Sequence, residues 1–185
     1  ASQSPSEPGN PMFTVYFPAD DARSKYVLSL LQERAGALWC GTQNGLYRVE
    51  TNDEVQVVSV ELGIPNRLNA KIVRCLFEDR LGTLWIGADS GLYRRWRDGR
   101  VETYTKRDGL PNNLIHSILE DRAGRIWVGT ALGGLCRLVP EPTPGRKVVA
   151  RAYSGKDGLS TNWINQLFQA TDGNLWAGSR AGLIQ

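Results

Sequence analysis

The chain has 185 residues, a formal net charge of +3, 41% apolar residues and a single histidine. A chain of this length allows one domain or two small ones and can remove roughly 70% of its unfolded surface from water, enough for a real core. The charge is too small, and Lys and Arg alternate too evenly with Asp and Glu, for a nucleic-acid-binding surface, while one histidine excludes a His-rich metal centre.

Residues 1–11 are polar and Pro-rich and are expected to form a disordered leader. They hold no charged-then-apolar signal pattern, and no long apolar span follows, so no direct membrane insertion of this segment is expected. A mature end left by signal cleavage and a fragment boundary would both look like this. The run Met12–Phe17 reads as a strand with no repeat before it.

From there the sequence is periodic. Four apolar runs, at residues 27–31, 72–77, 115–119 and 164–168, are short and bounded by turn residues, which favours strands over helices. Each is followed by turn chemistry and then by Gly-x-[Leu/Ile]-Trp-x-Gly, with tryptophans at Trp39, Trp85, Trp127 and Trp176 and the second glycines at Gly41, Gly87, Gly129 and Gly178. A third strand follows a further glycine in each unit, and a fourth is visible at 55–60, 101–104 and 148–153. Four short antiparallel strands every forty to fifty residues or so make one propeller blade. The prediction is an all-β propeller of four four-stranded blades, at approximately 24–60, 69–104, 112–153 and 161–185. The last is completed by the strand at 12–17. The repeated Trp is expected to fill the wedge between neighbouring blades, and the Gly two residues later to permit a close backbone approach. The Pro-rich loop at residues 140–146 reads as an excursion at the outer rim.

The third unit has Asp108-Gly109-Leu110-Pro111-Asn112-Asn113-Leu114-Ile115, then Ile118, Asp121, Gly124 and Ile126-Trp127-Val128-Gly129-Thr130. This pattern resembles the two-component regulator propeller repeat. The fourth unit matches at Asp157-Gly158-Leu159, Asn162, Ile164, Gly173 and Trp176-Ala177-Gly178-Ser179 but has Ala170 at the Asp position; the first lacks Asp-Gly-Leu and has Glu33 there. The resemblance implies a periplasmic or extracytoplasmic sensor segment of a hybrid histidine kinase or related regulator, with the kinase elsewhere in a parent chain.

Little in the sequence points to catalysis. Cys40, Cys75 and Cys136 show neither CxxC nor Cys-His zinc spacing and read as small buried hydrophobes, so no metal, cofactor or disulfide framework is expected. His116 lies on an innermost strand, aligned with Leu28, Arg74 and Asn165, and reads as a channel-facing polar residue rather than a catalyst. No Ser-His-Asp or Cys-His arrangement can be assembled. Propeller ligands sit over the channel, on the loops entering the innermost strands. The candidate ligand-binding residues are therefore Lys25, Arg67, Asn69, Asn112, Asn113, His116, Asn162 and Trp163. Amides with an exposed ring suit a small polar or glycan-like ligand, although Asn113 and Asn162 also hold positions where an Asn caps a turn. A non-enzymatic sensor is the leading expectation. A propeller lyase or lactonase and a purely structural interaction propeller are the alternatives. For assembly, the strand at 12–17 closes a four-bladed ring within one chain, or two chains exchange ends in a homodimer with an eight-bladed ring; the dimer is favoured because oligomers close by symmetry.

Overall fold

The structure, a computed structural model, describes residues 14–51, 55–64, 71–139 and 147–185. It holds fifteen strands in four antiparallel sheets, and its helical content is two single 3-10 turns at Lys106–Asp108 and Gly155–Asp157. Blade 1 is β1 (Val27–Gln32), β2 (Leu38–Thr42), β3 (Gly45–Thr51) and β4 (Val55–Val60); blade 2 is β5 (Val73–Glu78), β6 (Leu84–Ala88), β7 (Gly91–Arg95) and β8 (Val101–Tyr104). Blade 3 is β9 (Ile115–Glu120), β10 (Ile126–Thr130), β11 (Gly134–Leu138) and β12 (Val149–Tyr153), and blade 4 is β13 (Ile164–Gln169), β14 (Leu175–Ser179) and β15 (Gly182–Ile184). Each sheet is a meander in chain order, and the innermost strands β1, β5, β9 and β13 pack on one another in succession.

The hairpin joining the first two strands of each blade is the same in all four. Its glycine is left-handed, with φ of 96° at Gly36, 77° at Gly82, 80° at Gly124 and 91° at Gly173, and its N–H donates to the carbonyl three residues earlier. In blades 2 and 3 an aspartate completes the device. Asp79 Oδ1 accepts from the backbone of Leu81 and Thr83, both at 2.9 Å, and its Oδ2 accepts from the Trp85 indole at 2.8 Å. Asp121 repeats this with Ala123, Arg125 and the Trp127 indole, and its Oδ2 also takes the Arg125 guanidinium at 2.6 Å. One carboxylate thereby satisfies turn donors and the buried polar atom of the repeat tryptophan, which would otherwise cost free energy to bury.

Blades meet through three repeated contacts. The tryptophan of one blade lies against the next: Trp39 shares a core with Val73, Leu84 and Ile86, and Trp85 with Ile115 and Val128. The glycine two residues on faces the first residue of the next innermost strand. A Cβ at Gly41 would stand 2.7 Å from Val73, at Gly87 2.7 Å from Ile115 and at Gly129 2.6 Å from Ile164, closer than any real contact. Finally, the arginine of the turn in blades 1, 2 and 3 caps the turn of the next blade. The Arg34 N–H donates to Glu78 at 2.8 Å, that of Arg80 to Glu120 at 2.7 Å and that of Arg122 to Gln169 at 2.8 Å. The three guanidinium groups reach carbonyls of the same neighbouring turns, at Asp79 and Arg80, Asp121 and Arg122, and Thr171 respectively.

The Asp-Gly-Leu element closes the loop that enters the next innermost strand. Thr105 and Asp108 form a reciprocal capping box around the first 3-10 turn, as Ser154 and Asp157 do around the second. The cysteines are unpaired; Cys40 and Cys136 are buried and Cys75 is half-buried. Burial pushes the thiols of Cys75 and Cys136 up to about 12, leaving them un-ionised and inert.

Closure of blade 4 by the same chain is not seen among the described residues. Of the strand predicted at 12–17, residues 12 and 13 lie outside the described residues, and 14–17 form no strand. Blade 4 therefore has three strands among the described residues, and β15 pairs only with β14. The peptide at 14–17 is solvent-exposed. Among the described residues no strand of blade 1 packs substantially on a strand of blade 4, and the four blades form an open arc. The predicted leader at 1–11 and the rim loop at 140–146 lie outside the described residues.

Candidate functional site

One end of the arc carries both the loops that enter the innermost strands and the short turns between the second and third strands. A bulge at the start of β5 and β13, between Val73 and Cys75 and between Ile164 and Gln166, shifts the register by one residue. Val73 and Ile164 remain fully buried at the blade interface, while the next residues, Arg74 and Asn165, leave it. His116 occupies the same position on β9.

These residues meet in a cluster that spans blades 2 to 4. Arg74 makes a two-toothed ion pair with Asp89, from the turn after β6, with Nη2 at 2.9 Å from Oδ2 and Nε against Oδ1. The His116 ring meets the Trp163 indole edge-on, with centroids 5.4 Å apart at 72°. The Trp163 Nε1–H donates to Asn165 Oδ1 at 2.8 Å. Arg180, from the turn after β14, lays its guanidinium 3.4 Å from the centroid of the Trp163 ring. The proton affinity of His116 is lowered, first by burial and then by the Arg74 charge, with Arg180 acting in the same sense and Asn165 and Asp89 opposing. The imidazole is therefore neutral at pH 7.

Of the residues singled out from the sequence, His116 and Trp163 belong to this cluster. Arg67 and Asn69 lie outside the described residues. Lys25 stands over the Phe17 ring at 4.8 Å on blade 1. The amides hold loops: Asn112 Oδ1 accepts from the Leu114 backbone at 3.0 Å, Asn113 Oδ1 from Lys106 at 2.7 Å and Asn162 Oδ1 from Gly155 at 2.9 Å. Their oxygens face the backbone. Arg74 and Asn165 were visible from their alignment with His116. Asp89 and Arg180 were missed, because they sit on turns whose direction only the stacked blades define. Among the described residues no group of three His, Cys, Asp or Glu side chains is placed to hold a metal ion.

Four radially stacked antiparallel sheets with their innermost strands side by side define the β-propeller class. Residues 67–90, 109–131 and 158–181 match the family model described as two component regulator propeller. The chain thus carries two-component regulator propeller repeats, in blades 2, 3 and 4. Among solved structures, it is similar to the extracellular domain of a hybrid two-component system from B. thetaiotaomicron, at 26% identity and a TM-score of 0.70 over 86% of this chain and 21% of that one. A second extracellular domain from the same organism, described as part of a one-component system, gives 26% identity and a TM-score of 0.73 over 86% of this chain and 23% of that one. The chain thus spans about a fifth of the length of these structures. A catalytically inactive virginiamycin B lyase from Staphylococcus aureus, with quinupristin, shares the fold at 18% identity and a TM-score of 0.61, over 82% of this chain and 48% of that one. No curated protein matches the chain. Among the described residues no helix is long and apolar enough to cross a membrane.

Proposed function

We propose that the chain is a non-enzymatic, ligand-recognising segment of the periplasmic sensor region of a two-component regulator, and that it binds a small polar or glycan-like ligand over the inner ends of blades 3 and 4. The observation that carries this reading is the Trp163 ring, held in place by its hydrogen bond to Asn165 and by the edge of His116. A flat ring fixed beside amide and guanidinium donors suits sugars, which offer an apolar ring face and hydroxyl edges. The likeness to extracellular domains of bacterial regulators supports the setting, and the kinase or other output domain would lie elsewhere in a parent chain. A propeller lyase draws support only from fold likeness at 18% identity. Calorimetric screening of neutral and acidic oligosaccharides and small metabolites tests the proposal. Binding that Trp163→Ala abolishes is expected, whereas binding unaffected by that change would place the ligand elsewhere.

Assembly belongs to the same proposal. The free face of blade 1 exposes Val27, Leu28 and Leu30, and that of blade 4 exposes Phe168 and Leu183. Val27 is the counterpart of Val73, Ile115 and Ile164, and Gly178 that of the glycines they press upon. Two copies exchanging these faces would set Val27 of one against Gly178 of the other and form an eight-bladed ring. Light scattering at micromolar concentration is expected to read a dimer; a strictly monomeric species would defeat this arrangement.

A further inference from the structure

Arg180 is exposed, yet its guanidinium is not loose: it lies flat enough on Trp163 for a 3.4 Å approach to the ring centroid. Stacking of this kind uses the π face of the guanidinium and leaves its N–H groups pointing outward in the plane. Among the described residues no carboxylate forms an ion pair with Arg180. The nearby carboxylate of Asp89 is taken up, both oxygens at once, by Arg74. The cluster therefore carries one compensated and one uncompensated positive charge. The uncompensated one has the fork geometry that fits a carboxylate with two parallel hydrogen bonds. Its orientation is set in advance by the tryptophan beneath it, which lowers the ordering cost of binding.

We infer that Arg180 and Trp163 form a subsite for a carboxylate-bearing sugar, a uronate residue, with the carboxylate on the edge of Arg180 and the sugar ring against the exposed part of Trp163. This rests on the glycan reading above and narrows it to acidic glycans. His116 touches the same indole and senses the same positive field from Arg74 and Arg180, with Asp89 the one opposing charge. An anion bound at Arg180 partly cancels that field. The proton affinity of His116 then rises on binding, and by linkage the ligand binds more tightly as pH falls through the range in which His116 takes up its proton.

The chain has one histidine, so its imidazole resonances report this site without ambiguity. The test is an NMR pH titration of His116 and a calorimetric titration of the intact chain with oligogalacturonate, with a neutral gluco-oligosaccharide and acetate as the other arms. Arg180→Gln and Arg180→Lys are run beside the wild type. Oligogalacturonate is expected to bind and to raise the His116 midpoint. Arg180→Gln should weaken it by about tenfold or more and Arg180→Lys by less, since lysine keeps the charge but loses the fork. Equal binding of the neutral and acidic sugars, insensitive to Arg180→Gln, would overturn the uronate subsite and leave the glycan reading standing. Binding of neither sugar would overturn both. Because Arg180 is exposed, its variants are expected to retain the wild-type melting temperature, and a loss of binding then reads the subsite rather than folding.

Discussion

Blades 2 and 3 are flanked on both sides, and blades 1 and 4 on one side only; the same repeat looks different in the two settings. In blades 2 and 3 an aspartate ties the turn to the tryptophan, and Trp85 and Trp127 are buried. In blade 1 Glu33 stands in its place, one methylene too long for the same bonds, and among the described residues the buried Trp39 Nε1–H has no hydrogen-bond partner. In blade 4 the position is Ala170, and Trp176 is only partly buried. The arginine that caps the next turn is present in blades 1, 2 and 3, each of which has a successor, and is Thr171 in blade 4. The repeat is therefore two layers of information. Turn glycine and tryptophan build the blade and occur in all four units. Aspartate, arginine and small residues lock the blade into its stack and are complete only in the middle.

The tryptophans carry the largest expected difference between the middle and terminal blades. Trp127→Ala is expected to cost about 3–5 kcal/mol, as for other buried aromatics, while Trp176→Ala costs clearly less because solvent already reaches that ring. Urea unfolding reads both; equal losses would show that the flanking blades do not set the difference. Removal of the lock comes next. Asp121→Ala strands the Trp127 indole and two turn N–H groups and is expected to cost about 2–4 kcal/mol. Burial alone would raise the proton affinity of Asp121, but hydrogen bonds from Trp127 and from the backbone and guanidinium of Arg125 outweigh it and lower the pKa. A carboxylate with a lowered folded pKa stabilises fully above its unfolded value of about 4 and loses that contribution as pH falls through the folded pKa. The stability gap between wild type and Asp121→Ala should therefore narrow below pH of about 4, and a gap constant with pH would contradict the lock.

Two smaller effects sharpen the contrast. Gly129→Ala drives a methyl against Ser117 Oγ of its own blade and Ile164 of the next and is expected to cost about 1–3 kcal/mol, whereas Gly178→Ala, whose new methyl meets only the Cβ of Gln166 at 3.7 Å, should stay within about 0.5 kcal/mol in thermal melts. Equal shifts would mean that the glycine serves the strand and not the neighbouring blade. The smallest effect runs the other way. Glu33→Asp restores the acceptor that Trp39 lacks and is expected to stabilise by about 1 kcal/mol. An unchanged melting temperature would show that the backbone of the blade 1 turn stands too far from the indole.

What the sequence determined by itself was everything encoded at short range. The four hairpins follow from a left-handed glycine three residues after the turn begins, and the strands from short apolar runs between turns; neither needs a distant partner. The capping roles of Asn113 and Asn162 were legible for the same reason, since each bonds a backbone group seven residues away. The stacked structure alone decided which residues share a site. Arg180 meets Trp163 across a hairpin, and Trp163 meets His116 across a blade boundary. Of the strand expected at 12–17, the described residues 14–17 are not paired within the single chain. An open arc keeps the two terminal blades apart, and no local propensity can supply the distant edge a strand needs to pair with.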